Sequence, residues 1–196
     1  IECLAVVAAQ SPEDCLSATP QLIAVLETDD QPDRYALATL LAIADIAPDR
    51  VVPAGDTLGA VVVDDEQSER NRLAASACLG KLIDEDTAVA LTHIEGFVEM
   101  VGTCDGYLRQ NAAALLSDLA VLHTDRLEPH VGKFATMLET DLDDGRVNAS
   151  AALSRVAEDF PRSAGVAARS IAAMLDDAEP QVRTNGCWGA GHLDAA

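Results

Sequence analysis

The sequence predicts an all-α solenoid, in which antiparallel helix pairs stack into a single elongated domain. Three observations predict it. Arginines recur at a nearly constant interval, an Ala/Leu-rich stretch with helical periodicity follows each of them, and 49% of the residues are hydrophobic, enough for a continuous core. A fixed period of about 37 residues is typical of stacked repeats, because each repeat buries its apolar face only against its neighbours.

The repeated arginines define the register. They are Arg34, Arg72, Arg109, Arg146 and Arg183, at successive intervals of 38, 37, 37 and 37 residues. Counted from them, residues 1–16 are the tail of a truncated repeat, and repeats follow at 17–52, 53–90, 91–127, 128–161 and 162–196. Because Leu4 occupies the position of Leu41 in the next repeat, we expect the chain to begin inside a helix and to be a fragment.

Each repeat is expected to hold a helix A and then a helix B. Helix A is predicted at 20–26, 57–63, 93–101, 130–138 and 163–175, and helix B at 33–46, 69–83, 107–121, 144–158 and 180–193. In the first repeat Thr19 can cap helix A and Pro20 suits its first position. Residues 29–32, Asp-Asp-Gln-Pro, make the turn into helix B, and Pro48 breaks the segment that follows it.

The second helix A is the least regular. Gly55, Gly59 and the run Val61-Val62-Val63 have poor helix propensity, so a strand is conceivable there, although the period favours a helix. The third helix A begins with Thr92 and Glu95, three residues apart, which is the spacing of a capping box.

Aligning the repeats on their arginines places apolar residues on one face of each helix. Helix A contributes Leu22, Ala60, Phe97, Phe134 and Ile171, and one turn later Val25, Val63, Met100, Met137 and Met174. Helix B contributes Leu37, Ala75, Ala112, Ala149 and Gly186. We interpret the methionines as core filling rather than a metal site, and the small residues as points where helices approach closely.

An acidic turn, a proline and an arginine leading an Ala/Leu-rich second helix form a recurring string. Residues 177–183, Asp-Ala-Glu-Pro-Gln-Val-Arg, fit it best, residues 29–34 fit well, and three repeats share an Arg-x-Asn variant. The pattern resembles the HEAT-repeat superfamily, specifically the short HEAT-like repeats also found in phycobilin lyases. The resemblance covers essentially the whole chain and implies a right-handed superhelix with the B helices on its concave face. It is specific for fold and nearly silent on function.

In that family the turn acid and the helix B arginine form a ladder between successive repeats. Six residues before the arginine, this chain has an acid only at Glu66 and Asp177, and has Thr28, Thr103 and Thr140 in the other repeats. The resemblance therefore implies a ladder that is only partly ionic, with a structural role for the repeated arginines.

The charge balance excludes some partners. The chain has 13 basic and 33 acidic residues and a net charge of -20, which opposes binding to nucleic-acid phosphates. Asp outnumbers Glu and lysine is nearly absent, a balance that resembles cytoplasmic proteins of extreme halophiles; an acidic mesophilic protein is the alternative. No run approaches the ~18 apolar residues of a membrane span. The five cysteines, an odd number without C-x-x-C, are expected to be small core residues in a reducing cytosol.

Two histidines are the only hint of a metal site. His93 and His130 lie 37 residues apart near two helix A starts, with Glu95 and Glu128 close in sequence. The HEAT-repeat deoxyhypusine hydroxylases bind a di-iron centre through His-Glu dipeptides, and this sequence has none. We therefore expect no metal, cofactor or catalysis; a bilin-lyase-type enzyme or a metal-dependent enzyme is the alternative.

The remaining features favour a non-catalytic scaffold or regulatory adaptor that binds another protein, and no nucleic acid, membrane or small molecule. Residues one and five positions after each arginine share one side of helix B. The candidates for partner contact are Tyr35, Leu73, Gln110, Val147 and Trp188. Trp188, the only tryptophan, stands where other repeats have Thr39, Ala77, Ala114 and Ala151. It is expected either to anchor a partner at the end of a shallow groove or to cover a further repeat.

If the acidic coat is an adaptation to salt, stability should rise with salt concentration. Self-repulsion of the -20 charge is screened when the Debye length falls to ~3 Å at 1 M. Thermal unfolding in 0.1 M and 2 M KCl measures this effect, and an unchanged or lower midpoint in 2 M would contradict the halophile interpretation.

Overall fold

The computed structural model describes residues 1–28, 32–139 and 143–193. Every regular element in these ranges is an α-helix or a 3-10 helix, and the segment for which a strand was considered lies in a helix. The all-α prediction is therefore confirmed. Of the predicted turn at 29–32, residues 29–31 lie outside the described residues, as does Thr140. The chain divides into two compact units, Ile1–His93 and Ile94–Ala196.

The first unit contains the helices α1 (Glu2–Ala8), α2 (Thr19–Thr28), α3 (Arg34–Ala44), α4 (Gly55–Val63), α5 (Glu69–Leu82) and α6 (Ala88–Leu91), with 3-10 segments at Pro12–Ala18, Pro48–Arg50 and Val52–Ala54. Helix α3 packs between α1 and α5, and α4 packs on α5. Two long helices begin at polar caps. Asp33 accepts hydrogen bonds from the N–H groups of Tyr35 and Ala36 at 2.7 and 3.1 Å, and Ser68 accepts from that of Asn71, which satisfies free donors of the first turn.

The second unit contains α7 (Ile94–Thr103), α8 (Gly106–Leu119), α9 (Thr124–Leu127), α10 (Val131–Met137), α11 (Asp143–Asp159), α12 (Pro161–Ala164), α13 (Ala168–Met174) and α14 (Pro180–Leu193), with 3-10 segments at Glu128–His130 and Gly165–Ala167. Helix α11 packs between α8 and α14 and also contacts α10. Gly106 makes the tight turn between α7 and α8 with φ of 55°, a left-handed conformation that favours glycine.

Besides its two predicted helices, each repeat contains a short helical element that the sequence pattern did not predict. The predicted connections hold one-turn helices such as Ala88–Leu91 and Thr124–Leu127, and the first repeat is preceded by the 3-10 segment Pro12–Ala18. The predicted helix at 163–175 is divided into α12, a 3-10 segment and α13. A one-turn helix is too short to show a 3.6-residue period. The described repeats are therefore built from a short first helix, a second helix that corresponds to helix A and a third helix that corresponds to helix B.

The predicted core is confirmed in the second unit. In the first unit Leu22, Leu37 and Ala75 are buried as predicted, but the register is shifted in α4 and α3. Phe97, Phe134 and Ile171 are fully buried, as are the three methionines one turn later. Ala60, in contrast, is exposed, and Leu58 occupies the buried position. Leu58 precedes the small buried residue Ala75 of α5 by 17 residues, whereas 15 residues separate Phe97 from Ala112 and Phe134 from Ala149. Additional residues between α4 and α5 therefore displaced the alignment.

A small buried residue recurs at one position in the third helix of each repeat. When the repeats are aligned on their buried residues, this position holds Ala36, Ala75, Ala112, Ala149 and Gly186. In the first repeat it is Ala36 rather than Leu37, so Arg34 lies one residue beyond the position of the other arginines. At Gly186 a Cβ would stand 2.7 Å from the Cβ of Met174. The second helix thus approaches the third closely enough to exclude a side chain.

The cysteines only partly follow the expectation of small core residues. Cys15 and Cys78 are buried, and burial, helped by the charge of Asp45, raises the pKa of the Cys78 thiol to about 12. Cys3 and Cys187 are exposed, and no disulfide forms within the described residues. In the same residues, no helix combines the length and the apolar character needed to cross a membrane.

Close contact with a neighbouring helix explains why α4 contains a glycine despite its weak helix propensity. Gly55 is buried against α6, and a Cβ there would lie 2.4 Å from the Cβ and 3.3 Å from the Cα of Val89. We expect Gly55→Ala to lower the free energy of unfolding by ~1–3 kcal/mol through overpacking. Gly80→Ala is the matched control, because a Cβ at Gly80 meets nothing within 4 Å, and it should be neutral or stabilising by up to ~1 kcal/mol. Urea unfolding of both variants tests this, and equal midpoints would contradict the close contact.

Candidate functional site

Three of the repeated arginines, Arg72, Arg146 and Arg183, bond to turns or to a neighbouring repeat. Arg72, Arg109, Arg146 and Arg183 are each the fourth residue of a third helix, whereas Arg34 is the first residue of its own. Arg34 is exposed and lies over the ring of Tyr35 at 4.5 Å. The register shift of the first repeat accounts for this difference.

The clearest connection between repeats joins Arg146 on α11 to Asp177 before α14. The Arg146 Nη2 donates to Asp177 Oδ1 at 3.3 Å, and its Nε lies 3.3 Å from Oδ2. Both side chains are largely buried. Arg183 donates to the backbone carbonyls of Asp177 and Ala178 at 2.8 Å and closes the same turn. One carboxylate thus connects two repeats.

In the first unit the corresponding contacts are hydrogen bonds to backbone carbonyls. Arg72, 8% exposed, donates through Nε to the carbonyl of Val62 at 2.9 Å. Asn71 reaches the preceding repeat and donates to the carbonyl of Pro32 at 3.0 Å. Glu66, the acid expected at the ladder position, is exposed. In the first unit, therefore, Arg72 holds the end of α4 within its own repeat, and Asn71 makes the connection to the preceding repeat.

The two histidines each face a carboxylate from another repeat. His93 Nε2 lies 3.1 Å from Asp56 Oδ1, which also accepts a hydrogen bond from Thr92. His130 Nε2 lies 3.2 Å from Glu95 Oε1, at ion-pair distance but without hydrogen-bond geometry. Thr92 has a helical backbone, so it does not act as the N-cap of a capping box.

Glu128, the other acid considered for a metal site, accepts a hydrogen bond from Ser163. No group of three or more potential metal ligands comes together among residues 1–28, 32–139 and 143–193.

The predicted partner-contact residues differ in exposure. Tyr35, Leu73, Gln110 and Val147 are half-buried, and Trp188 is 54% exposed. Of the small residues at the position of Trp188, Ala77 is exposed, Ala114 and Ala151 are half-buried, and Thr39 is fully buried. The register shift of the first repeat explains Thr39, because it turns that position into the core.

Trp188 lies in a groove of about 770 Å³ between α11 and α14, within the second unit. We call this site the α11–α14 groove; the residues used below are Ser154, Arg155, Glu158, Thr184, Asn185 and Trp188. The indole Nε1 of Trp188 donates to Glu158 Oε2 at 3.1 Å, and its ring lies against His192 with centroids 5.3 Å apart. The indole is thus fixed at one edge while much of its surface remains exposed.

Internal hydrogen bonds hold the floor of the groove. The Ser154 hydroxyl lies 2.7 Å from the carbonyl oxygen of Ser150 and 2.6 Å from that of Asn185, and these two acceptors share its single proton. The Asn185 side chain donates to the hydroxyl of Ser150 at 2.8 Å and accepts from Gln181. These bonds fix α14 against α11. The Arg-x-Asn variant was visible in the sequence, but the serine partners of Asn185, which lie 31 and 35 residues away, were not identifiable there.

The ionic connection can be tested with Arg146→Ala. Its loss leaves the largely buried carboxylate of Asp177 without its guanidinium partner, which should lower the free energy of unfolding by ~1–3 kcal/mol. Arg162→Ala is the control, since Arg162 is exposed on a short helix, and it should change stability by no more than ~0.5 kcal/mol. Equal denaturation midpoints for the two variants would contradict the ladder.

Comparison with known proteins gives the fold and no family. No protein-family model matches the chain, and no curated protein matches it. Several solved structures do.

Computationally designed armadillo repeat proteins for modular peptide recognition align with a TM-score of 0.80 at 17% identity, over 98% of this chain and 91% of that chain. A designed armadillo repeat protein in complex with the peptide (KR)4 aligns with a TM-score of 0.77 at 14% identity, over 97% and 90%. A third designed armadillo repeat protein, YIII(Dq)4CqI, gives 0.76 at 16% identity, over 98% and 91%. At these identities the likeness establishes the fold alone, and the chain is an all-α solenoid of the armadillo-like helical-repeat kind.

Proposed function

We propose that this protein is a non-catalytic scaffold that binds an extended segment of a partner protein, with the α11–α14 groove as an anchoring point. The observation that carries the proposal is the exposure of Trp188 in a groove whose floor is already held by internal hydrogen bonds. A fixed, exposed tryptophan provides a large apolar contact at little entropic cost, and tryptophan is enriched in interface hot spots.

Charge favours a basic partner. The net charge of -20 attracts Lys- and Arg-rich segments at low ionic strength and repels nucleic-acid phosphates. Among structures of the same fold, one is described in complex with the basic peptide (KR)4. Similarity of fold does not transfer a ligand, but this peptide is a suitable first probe.

The proposal assigns no reaction to the groove, because its hydroxyls are committed to structural bonds. Ser154 donates to the Asn185 carbonyl, and Thr184 donates to the carbonyl of Pro180 at 3.0 Å. A nucleophilic hydroxyl would instead need a neighbouring general base.

The composition and the repeated turns support two further parts of the proposal, the saline cytoplasm and the type of repeat. The Asp-rich, Lys-poor acidic surface suits the concentrated-salt cytoplasm of an extreme halophile, where long-range attraction is screened and short-range contacts must supply affinity. The recurring acid–proline–arginine turns, with the Arg146–Asp177 pair, support a place among HEAT-type repeats.

The sole tryptophan of the chain is also the probe. We expect its fluorescence to change in a titration with (KR)4 at 0.1 M KCl, and not with (DE)4. By calorimetry, Trp188→Ala should weaken binding at least ~10-fold, since ~1.4 kcal/mol corresponds to a factor of ten, while the unfolding midpoint stays close to that of the wild type.

Tyr107→Ala is the matched control, because Tyr107 is an aromatic residue that is 71% exposed outside the α11–α14 groove, and its loss should leave binding unchanged. If Trp188→Ala lowers stability but retains binding, Trp188 serves internal contacts and the groove proposal fails.

A further inference from the structure

The α11–α14 groove carries two opposite charges at neighbouring positions. Arg155 and Glu158 are three residues apart on α11, and both are exposed. In a chain with 13 basic and 33 acidic residues, a guanidinium inside the candidate binding groove is an unusual feature. A groove adapted only to basic residues would gain nothing from it.

Both groups have bonding capacity left for a partner. Glu158 accepts one hydrogen bond, from Trp188, and a carboxylate has about four acceptor positions. Within the described part of the chain, no hydrogen bond or ion pair holds the guanidinium of Arg155. The polar floor residues Ser154 and Asn185 bond to each other's helices and do not compete for it.

The spacing of the two charges matches an extended peptide. On a helix, residues three apart have Cβ atoms about 5–6 Å apart. In an extended chain, alternate side chains point to the same side at about twice the 3.3 Å rise per residue. One segment can therefore present a cation to Glu158 and an anion to Arg155 from residues i and i+2.

We propose that the partner segment is basic overall but carries one carboxylate side chain two residues from a lysine or arginine. The cation pairs with Glu158 beside the indole of Trp188, and the carboxylate forms a charge-assisted hydrogen bond with Arg155, in which a guanidinium can offer two parallel donors. This inference rests on the proposed scaffold function and adds the charge pattern that the scaffold selects.

The test compares two capped peptides, Ac-GKGKGKG-NH2 and Ac-GKGEGKG-NH2, by calorimetry in 1 M KCl. At this salt concentration the Debye length is ~3 Å, so the greater net charge of the first peptide gives it little advantage. The wild-type protein should bind the peptide that contains glutamate at least ~5-fold more tightly, a gain in affinity that a charge-assisted hydrogen bond can supply. Arg155→Ala should abolish this preference and Arg155→Glu should reverse it.

Arg162→Ala, at an exposed arginine outside the groove, should keep the preference and serves as the control. Thermal midpoints verify that each variant is folded, and if an Arg155 variant is not, the preference of the wild-type protein alone decides. A wild-type protein that prefers the uniformly basic peptide, or a preference that survives Arg155→Ala, overturns the charge pattern but leaves the scaffold intact. If neither these peptides nor (KR)4 binds, the scaffold proposal fails as well.

Discussion

The rest of the structure depends on one constraint: the second and third helices of each repeat approach closely at one small residue of the third helix. Ala36, Ala75, Ala112 and Ala149 are almost completely buried, and at Gly186 even a methyl group would collide with Met174. A helix turns by about 100° per residue, so the residue two positions later points to the opposite side. That position holds Ala38, Ala77, Ala114, Ala151 and Trp188. The buried small residue thus determines which side chains the third helices expose.

This constraint also explains why the candidate site lies at α14. Gly186 brings α14 against the second helix of its repeat, and the bonds from Ser154 and Asn185 hold it to α11. Trp188, on the side opposite Gly186, is then directed along α11 to Glu158. The geometry of the groove is therefore a consequence of the repeat contacts, with one large residue where the other repeats have small ones.

The sequence predicted the helical period and the methionine core, because these depend on residue type at a regular spacing. It failed where the spacing changed. Residues added between α4 and α5 moved Ala60 out of the core, and the altered first repeat displaced Arg34 from the repeated position. Glu158 and Arg155 were not predicted as groove residues, because their role depends on contact with a helix about 30 residues away. The one-turn helices carry no periodicity at all.

The contacts between repeats divide into two kinds that respond differently to salt. The Arg146–Asp177 pair is ionic, whereas Asn71 donates to the buried carbonyl of Pro32 in the preceding repeat, a contact that added ions screen only weakly. Apolar burial at the small-residue positions is likewise not weakened by screening. The contacts between repeats within each unit can therefore persist at salt concentrations that screen the acidic surface charge. Surface charge is then not required for the cohesion of each unit, and under the proposed scaffold function an arginine in the groove acts on a partner only at contact distance.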